Sequence, residues 1–159
     1  MISLDAIFWM YVILFAFIGA MRGWARELLV TFSVILAIFI LAVLERFVPL
    51  LRDTLPVDSP TNLFWIRAAL LVILVLFGYQ TPKIPRIAST GRFVREAFQD
   101  ILLGLFLGAL NGYFIFGSLW HFLDEAGYPF AAISSPDFLS ESGASIARLL
   151  TFMPPAFLQ

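Results

Sequence analysis

The chain of 159 residues contains no cysteine and one histidine, and only 13% of its residues are charged. Without cysteine it forms no disulfide, offers no thiolate nucleophile and builds no cysteine-ligated zinc or iron–sulfur site. Charge is scarce because 61% of the residues are hydrophobic, which gives a mean hydropathy of +0.94. Soluble domains are only roughly half apolar. The composition therefore predicts an integral membrane protein.

Four apolar runs, at about 6–21, 28–44, 63–79 and 101–123, each approach the ~20 residues that a transmembrane helix needs. Trp9, Tyr11 and Trp24 extend the first span at headgroup depth. The first run has Asp5 where a signal peptide carries a basic residue, so we expect a retained span. We predict an all-α integral membrane protein with a four-span domain over 1–123 and a tail over 124–159. The predicted spans are about 4–21, 28–44, 63–79 and 101–123.

Basic residues are distributed unevenly between the two sides of this arrangement. Six of the ten lie after the first and third spans: Arg22, Arg26, Lys83, Arg86, Arg92 and Arg95. Only Glu27, Glu96 and Asp100 oppose them, whereas the other side carries four bases and eight acids. Because basic residues near spans stay in the cytoplasm, we expect both termini outside it. Arg22, Arg26 and Glu27 then form a cytoplasmic turn whose arginines set topology, with ligand binding as the alternative.

An interfacial helix is expected immediately before the fourth span. Pro82 and Pro85 interrupt helix in the preceding segment, and Ser89 or Thr90 then offers an N-cap. Apolar residues follow at helical spacing at 93, 94, 98 and 101, while charged residues face elsewhere. Such a helix lies at the cytoplasmic membrane surface, where it binds anionic headgroups.

A short amphipathic helix is expected in the extracytoplasmic tail. Ile146, Leu149, Leu150 and Met153 stand at i, i+3, i+4 and i+7, and two prolines follow at 154 and 155. This spacing predicts a helix over about 144–153. Its apolar face would lie on the outer leaflet or dock on a partner.

Glycines recur at a spacing of four in the fourth run. Gly104, Gly108 and Gly112 share one helix face, and Gly19 with Gly23 form a shorter version in the first span. In a membrane, faces of small residues let helix backbones approach closely. We therefore expect a glycine zipper through which the first and fourth spans pack. The alternative is that glycine is simply common in transmembrane helices.

Few side chains are of a type that catalyses reactions or binds a cofactor. His121 stands one turn from Asp124 at the outer end of the fourth span, an ordinary helix-end spacing. We expect an interfacial histidine, with ligation of a pigment or haem as the alternative. Arg67 is expected to snorkel outward, and Asn111 is the polar side chain near mid-span. No catalytic site, metal site, cofactor or nucleic-acid surface is predicted, and we expect no enzyme.

Three sequence features together carry a family resemblance. They are the dipeptide LD at 4–5, the pattern GxxRGxxRE at 19–27, and DxxxGxxxGxxxG at 100–112. Over about residues 4–123 the chain resembles the colicin V production (CvpA) family of bacterial inner-membrane proteins. The resemblance implies four helices, an extracytoplasmic C terminus and location in the bacterial cytoplasmic (inner) membrane. It singles out Asp5, Gly19, Arg22, Gly23, Arg26, Glu27, Gly104, Gly108 and Gly112, none with an established catalytic role. The family often has a basic residue where this chain has Asn111.

Three functions are compatible with these features. The first is a non-enzymatic membrane scaffold or helper that packs against partner membrane proteins, or a second copy, in production, secretion or envelope processes. The second is a small accessory subunit of a larger energy-transducing or photosynthetic complex. The third is a transporter or channel component, which needs a polar path that we do not find in one copy. In each case the lipid bilayer is a partner.

Overall fold

The computed structural model describes residues 4–80, 93–130, 133 and 141–155. Its elements, in order, are α1 (Leu4–Arg22), α2 (Trp24–Phe47), a π-helical turn (Leu50–Thr54), α3 (Leu55–Asp58), α4 (Pro60–Tyr79), α5 (Phe93–Glu125) and α6 (Glu141–Thr151). Helices α1, α2, α4 and α5 are long and apolar enough to cross a membrane. The prediction of a helical protein with four long apolar helices compatible with membrane spans is confirmed.

The first two spans are joined by one residue. Gly23 has φ +87°, a conformation that glycine adopts without strain, and it lets the chain reverse directly between α1 and α2. The six-residue turn expected over 22–27 is therefore shorter than predicted. Arg26 and Glu27 already belong to the first turn of α2.

Helix α5 runs without a break for 33 residues, about 50 Å at 1.5 Å per residue. This exceeds the ~30 Å apolar layer of a bilayer, so part of the helix extends beyond that layer. Residues from Phe93, expected as a separate interfacial helix, form its first turns. No proline or glycine stands between Phe93 and Leu103 to interrupt it. The predicted N-cap at Ser89 or Thr90 lies outside the described residues.

Helix α5 occupies the centre of the bundle. It packs along α1 on one side and along α2 on the other, and α4 packs mainly against α2. The apolar core between α2, α4 and α5 contains Val30, Val34, Ala37, Ile38, Leu41, Leu71, Val75, Ile115 and Phe122. Helix α1 is consequently the edge helix, held almost entirely through α5.

The backbones of α1 and α5 touch at the glycines. A Cβ on Gly108 would overlap the carbonyl oxygen of Phe15 and lie 2.9 Å from the Cα of Gly19. A Cβ on Gly112 would lie 3.1 Å from the Cα of Val12. Gly104 approaches the carbonyl oxygen of Gly19 in the same way. The glycine face of α5 is thus covered by α1 of the same chain, at a distance that side chains do not permit.

The tail helix α6 folds back onto α1 and α5. The cluster that it completes contains Phe8, Val12, Trp120, Leu150 and Met153. The Tyr113 hydroxyl donates a hydrogen bond to the carbonyl oxygen of Phe152 at 2.5 Å. Pro154 occupies the space left by Gly117, where a Cβ would lie 2.9 Å from the proline Cδ. The apolar stripe of the tail therefore packs against the chain's own spans.

A tight turn after α5 redirects the chain. Gly127 and Tyr128 both have positive φ, at 71° and 54°. The Trp120 indole N–H donates to the Tyr128 hydroxyl at 3.1 Å, which anchors the turn on α5. Burial raises the pKa of Tyr128 to about 12, so its hydroxyl stays protonated at neutral pH.

Replacing Gly108 with isoleucine should force α1 away from α5, because the new side chain meets backbone atoms of Phe15 and Gly19. We expect Gly108→Ile to lower the free energy of unfolding by about 1–3 kcal/mol, the usual cost of overpacking. Leu105→Ile, at an exposed position of the same helix, is the control and should change it by less than about 0.5 kcal/mol. Unfolding in mild detergent measures both variants. Equal losses would show that the glycine contact is not a source of stability.

Candidate functional site

The turn at Gly23 is held by an acid from another helix. The Asp100 carboxylate of α5 accepts a hydrogen bond from the Trp24 backbone N–H at 3.0 Å. It thereby satisfies one of the N–H groups that a helix N-terminus leaves unpaired, and its negative charge favours that end of the helix dipole. Gly23 makes the approach possible, because a Cβ there would lie 2.8 Å from both carboxylate oxygens.

Glu27 is the centre of a buried polar group of residues. Its side chain is 0% exposed, in the first turns of a helix long enough to span the membrane. The Asn111 amide nitrogen donates to Glu27 Oε2 at 2.9 Å and to the Glu27 backbone carbonyl oxygen at 3.0 Å. The Thr31 hydroxyl contacts Asn111 Oδ1 at 2.7 Å and the same Glu27 carbonyl at 3.0 Å. Helices α2 and α5 are therefore joined by buried hydrogen bonds.

Arg22 brings the end of α1 to this carboxylate. Its Nε lies 3.3 Å from Glu27 Oε1 as an ion pair. Its Nη2 donates to the Tyr79 carbonyl oxygen at 3.5 Å, and the guanidinium carbon stands 4.2 Å from the centre of the Tyr79 ring. Arg22, Glu27, Thr31, Tyr79 and Asn111 form the Glu27 cluster, in which α1, α2, α4 and α5 meet.

The residues of the GxxRGxxRE pattern make different contacts in the structure. Gly19 and Gly23 contact α5, while Arg22 and Glu27 pair with each other. Arg26 is partly buried on α2. The basic residue paired with Glu27 is Arg22. Arg92 and the side chain of Arg95 lie outside the described residues.

A second ionic group lies at the opposite end of the bundle. Arg67 of α4 donates from Nε to Glu45 of α2 at 2.6 Å and from Nη1 to Glu125 of α5. His121 Nε2 lies 3.5 Å from the other oxygen of Glu125. Glu45, Arg67, His121 and Glu125 form the Arg67 cluster, which ties α2, α4 and α5 together.

Two sequence-based interpretations change at this cluster. Arg67 does not snorkel outward: it is only 8% exposed, because two carboxylates satisfy its guanidinium inside the bundle. His121 has its acidic neighbour at Glu125, one residue beyond the Asp124 considered from the sequence. Ligation of a pigment or haem by His121 stays a prediction. In the described part of the chain, no group of three or more histidine, cysteine or acidic side chains is arranged to hold a metal ion.

Sequence reasoning missed several partners in both clusters. Glu45 and Glu125 stand far from Arg67 in sequence, yet both end spans on the side where the third span begins. A guanidinium one turn inside a span needs acidic partners at the same depth in the membrane. That requirement could have pointed to acidic residues near the ends of the other spans as partners of Arg67. Thr31 is one helical turn from Glu27, so its proximity could be predicted. Nothing in the sequence indicated that Arg22 would contact Tyr79.

A family model described as Colicin V production protein matches residues 4–143. The chain belongs to the colicin V production protein family. The match contains all four spans and both clusters, and it extends beyond the resemblance seen in the sequence as far as the start of α6. No curated protein and no solved structure is significantly similar to the chain.

The structure explains what the side chain at position 111 does. The family resemblance led us to expect a basic residue before Gly112, whereas this chain has Asn111. Asn111 is fully buried and donates to the Glu27 carboxylate. A lysine or arginine at this position would meet the same carboxylate as an ion pair. In this chain the residue at position 111 supplies the donor that a buried acid requires.

Substitutions at Asn111 test this explanation with a matched pair. Asn111→Met removes the donor to Glu27 and the acceptor for Thr31, so we expect a loss of about 1–3 kcal/mol in unfolding free energy. Asn111→Lys has nearly the same length and volume as the methionine variant but offers an ammonium group to Glu27. It should be the more stable of the two in detergent unfolding. A lysine variant that is less stable than the methionine variant would contradict the explanation.

Proposed function

We propose that this member of the colicin V production family is a non-enzymatic scaffold or helper of the bacterial cytoplasmic (inner) membrane. It would hold partner membrane proteins in production, secretion or envelope processes. One observation carries the proposal. In the described residues, Glu27 and Arg67 are the charged residues that are buried, and each forms ion pairs between helices of the chain. Because both charges are paired with other helices of the chain, they stabilise the bundle. This supports a protein that acts by packing against partners.

The outer surface supports the same role. Only 17% of the α1 span is buried, compared with 33% of α4 and 39% of α2 and α5. The outward residues of α1 are Trp9, Met10, Ile13, Leu14, Phe17 and Met21. Because α1 is fixed on α5 by backbone contact, this face is a rigid apolar surface at the edge of the bundle. Aromatic residues and methionine are typical of protein contact surfaces.

The orientation of the bundle is proposed from the distribution of its basic residues. Arg22, Arg26 and Asp100 lie at the Gly23 end, and the Arg67 cluster lies at the other end of the bundle. We assign the Gly23 end to the cytoplasm, because six of the ten basic residues follow the first and third spans. Both termini are then extracytoplasmic.

Crosslinking in native membranes tests the helper role. A photoreactive phenylalanine analogue at Phe17 on α1 or Phe106 on α5 should give a discrete protein adduct, because Phe17 lies on the outward face of the edge helix and Phe106 is an exposed residue of the helix that holds it. The same analogue at Phe39 on α2 or Phe77 on α4, which are equally exposed, is the control and should give mainly lipid adducts.

The size of the adduct distinguishes the candidate functions. A discrete partner at positions 17 and 106 supports the helper, and an adduct the size of this chain indicates a second copy. Stoichiometric recovery of a large complex in mild detergent would favour the accessory subunit. Lipid adducts alone at all four positions would contradict the scaffold proposal.

The proposed orientation has its own test. A reporter that is active only outside the cytoplasm should be active when it is fused after Gln159, with a fusion in the 81–92 segment as the inactive control. Activity of a cytoplasm-specific reporter at Gln159 would refute the orientation.

A further inference from the structure

Two cavities, one with charged residues in its wall and one without, share Phe64 in their linings. The first, of about 290 Å³, is formed where α4 begins and α5 ends, between Pro60, Leu63, Phe64 and Phe122, with Arg67 and Glu125 as its charged residues. The second, of about 180 Å³, is lined only by apolar or aromatic side chains of α1, α4 and α5, among them Phe8, Phe64, Leu119 and Leu123. We call the first the polar cavity because of its two charged residues, although its other lining residues are apolar. Beside the apolar cleft, it has the form of a site for an amphiphile.

The charge of the polar cavity selects the headgroup. Within the Arg67 cluster, the Arg67 guanidinium is shared between two carboxylates, Glu45 and Glu125, so the permanently charged groups of the cluster leave one negative charge in excess. Glu45 does not line the cavity, whereas Glu125 does and its side chain is 37% exposed. A carboxylate facing a cavity with aromatic walls is suited to an ammonium group, which it pairs with while the rings contact the adjoining carbons.

The depth of the site indicates where the amphiphile comes from. The polar cavity lies at the ends of two membrane-spanning helices, where a bilayer has its headgroups, and the apolar cleft extends along α1, α4 and α5 towards the bilayer interior. We propose that the two cavities together bind an aminophospholipid, with its ammonium group at Glu125 and an acyl chain in the cleft beside Phe64. This site goes beyond the helper role and does not depend on it.

Lipid selectivity of the purified full-length chain tests the site. Delipidated protein in mild detergent is titrated with phosphatidylethanolamine, phosphatidylcholine or phosphatidylglycerol of identical acyl chains, and bound lipid is counted by native mass spectrometry. We expect phosphatidylethanolamine to bind about tenfold more tightly than the other two, since only its headgroup offers N–H donors to a carboxylate. Free phosphoethanolamine should not compete at the same concentration, because it has no acyl chain for the cleft. Equal affinities for the three lipids would overturn the proposal.

Two variants test whether the Glu125 carboxylate causes the preference for phosphatidylethanolamine. Glu125→Gln should abolish the selectivity for phosphatidylethanolamine, whereas Asp53→Asn, which removes an exposed carboxylate outside both the Arg67 cluster and the cavity, should retain it. Because the readout is the ratio between lipids, a modest loss of stability in either variant does not affect it. Selectivity that persists in Glu125→Gln would overturn the assignment of the headgroup. Should that variant not fold, the comparison of lipids on the native chain decides alone.

Discussion

The Glu27 carboxylate is the constraint around which the bundle is arranged. A fully buried acid in a membrane-spanning helix is costly unless other groups of the protein satisfy it. Here Arg22 of α1 and Asn111 of α5 contact the two carboxylate oxygens, and Arg22 is itself held at the end of α4 by Tyr79. Each of these contacts comes from a different helix. The position of Glu27 therefore fixes how the four spans meet at this end.

The glycines make this meeting possible. Arg22 can reach Glu27 only if α1 ends close to α5 and the chain reverses at once into α2. Gly19 with Gly104 and Gly108 supplies the close approach, and Gly23 supplies the reversal under the Asp100 carboxylate. Small residues and buried charge are thus parts of one arrangement. At the opposite end, Arg67 joins α2, α4 and α5 through two acids, so both ends of the bundle are held by ion pairs.

A bundle fixed in this way favours a role in which a stable surface matters more than internal motion. Breaking a buried ion pair by removing one partner typically costs about 3–5 kcal/mol, so neither cluster is easily rearranged. The edge helix α1 contributes its outward face without carrying a free charge in its apolar middle part. These properties agree with a membrane helper of the colicin V production family.

The sequence predicted the features that depend on periodicity or on local chemistry. Four spans followed from apolar run length, and the faces of Gly104, Gly108 and Gly112 followed from their spacing of four. It did not predict which charges would be buried, because pairs such as Arg67 with Glu125 join residues that are distant in sequence. The single-residue turn at Gly23 was also missed, since a cluster of charges resembles a solvent-exposed loop. Only the packing of the helices shows that Glu27 faces inward.

A double-mutant cycle between Arg22 and Glu27 tests the central claim most directly. Unfolding free energies in mild detergent are measured for the native chain, Arg22→Gln, Glu27→Gln and the double variant. Since the two side chains pair inside the bundle, each single change leaves its partner unsatisfied, and the double change should cost less than the sum of the two. We predict a coupling free energy of about 1 kcal/mol or more. Additive effects within about 0.3 kcal/mol would show that Glu27 does not organise the bundle through Arg22.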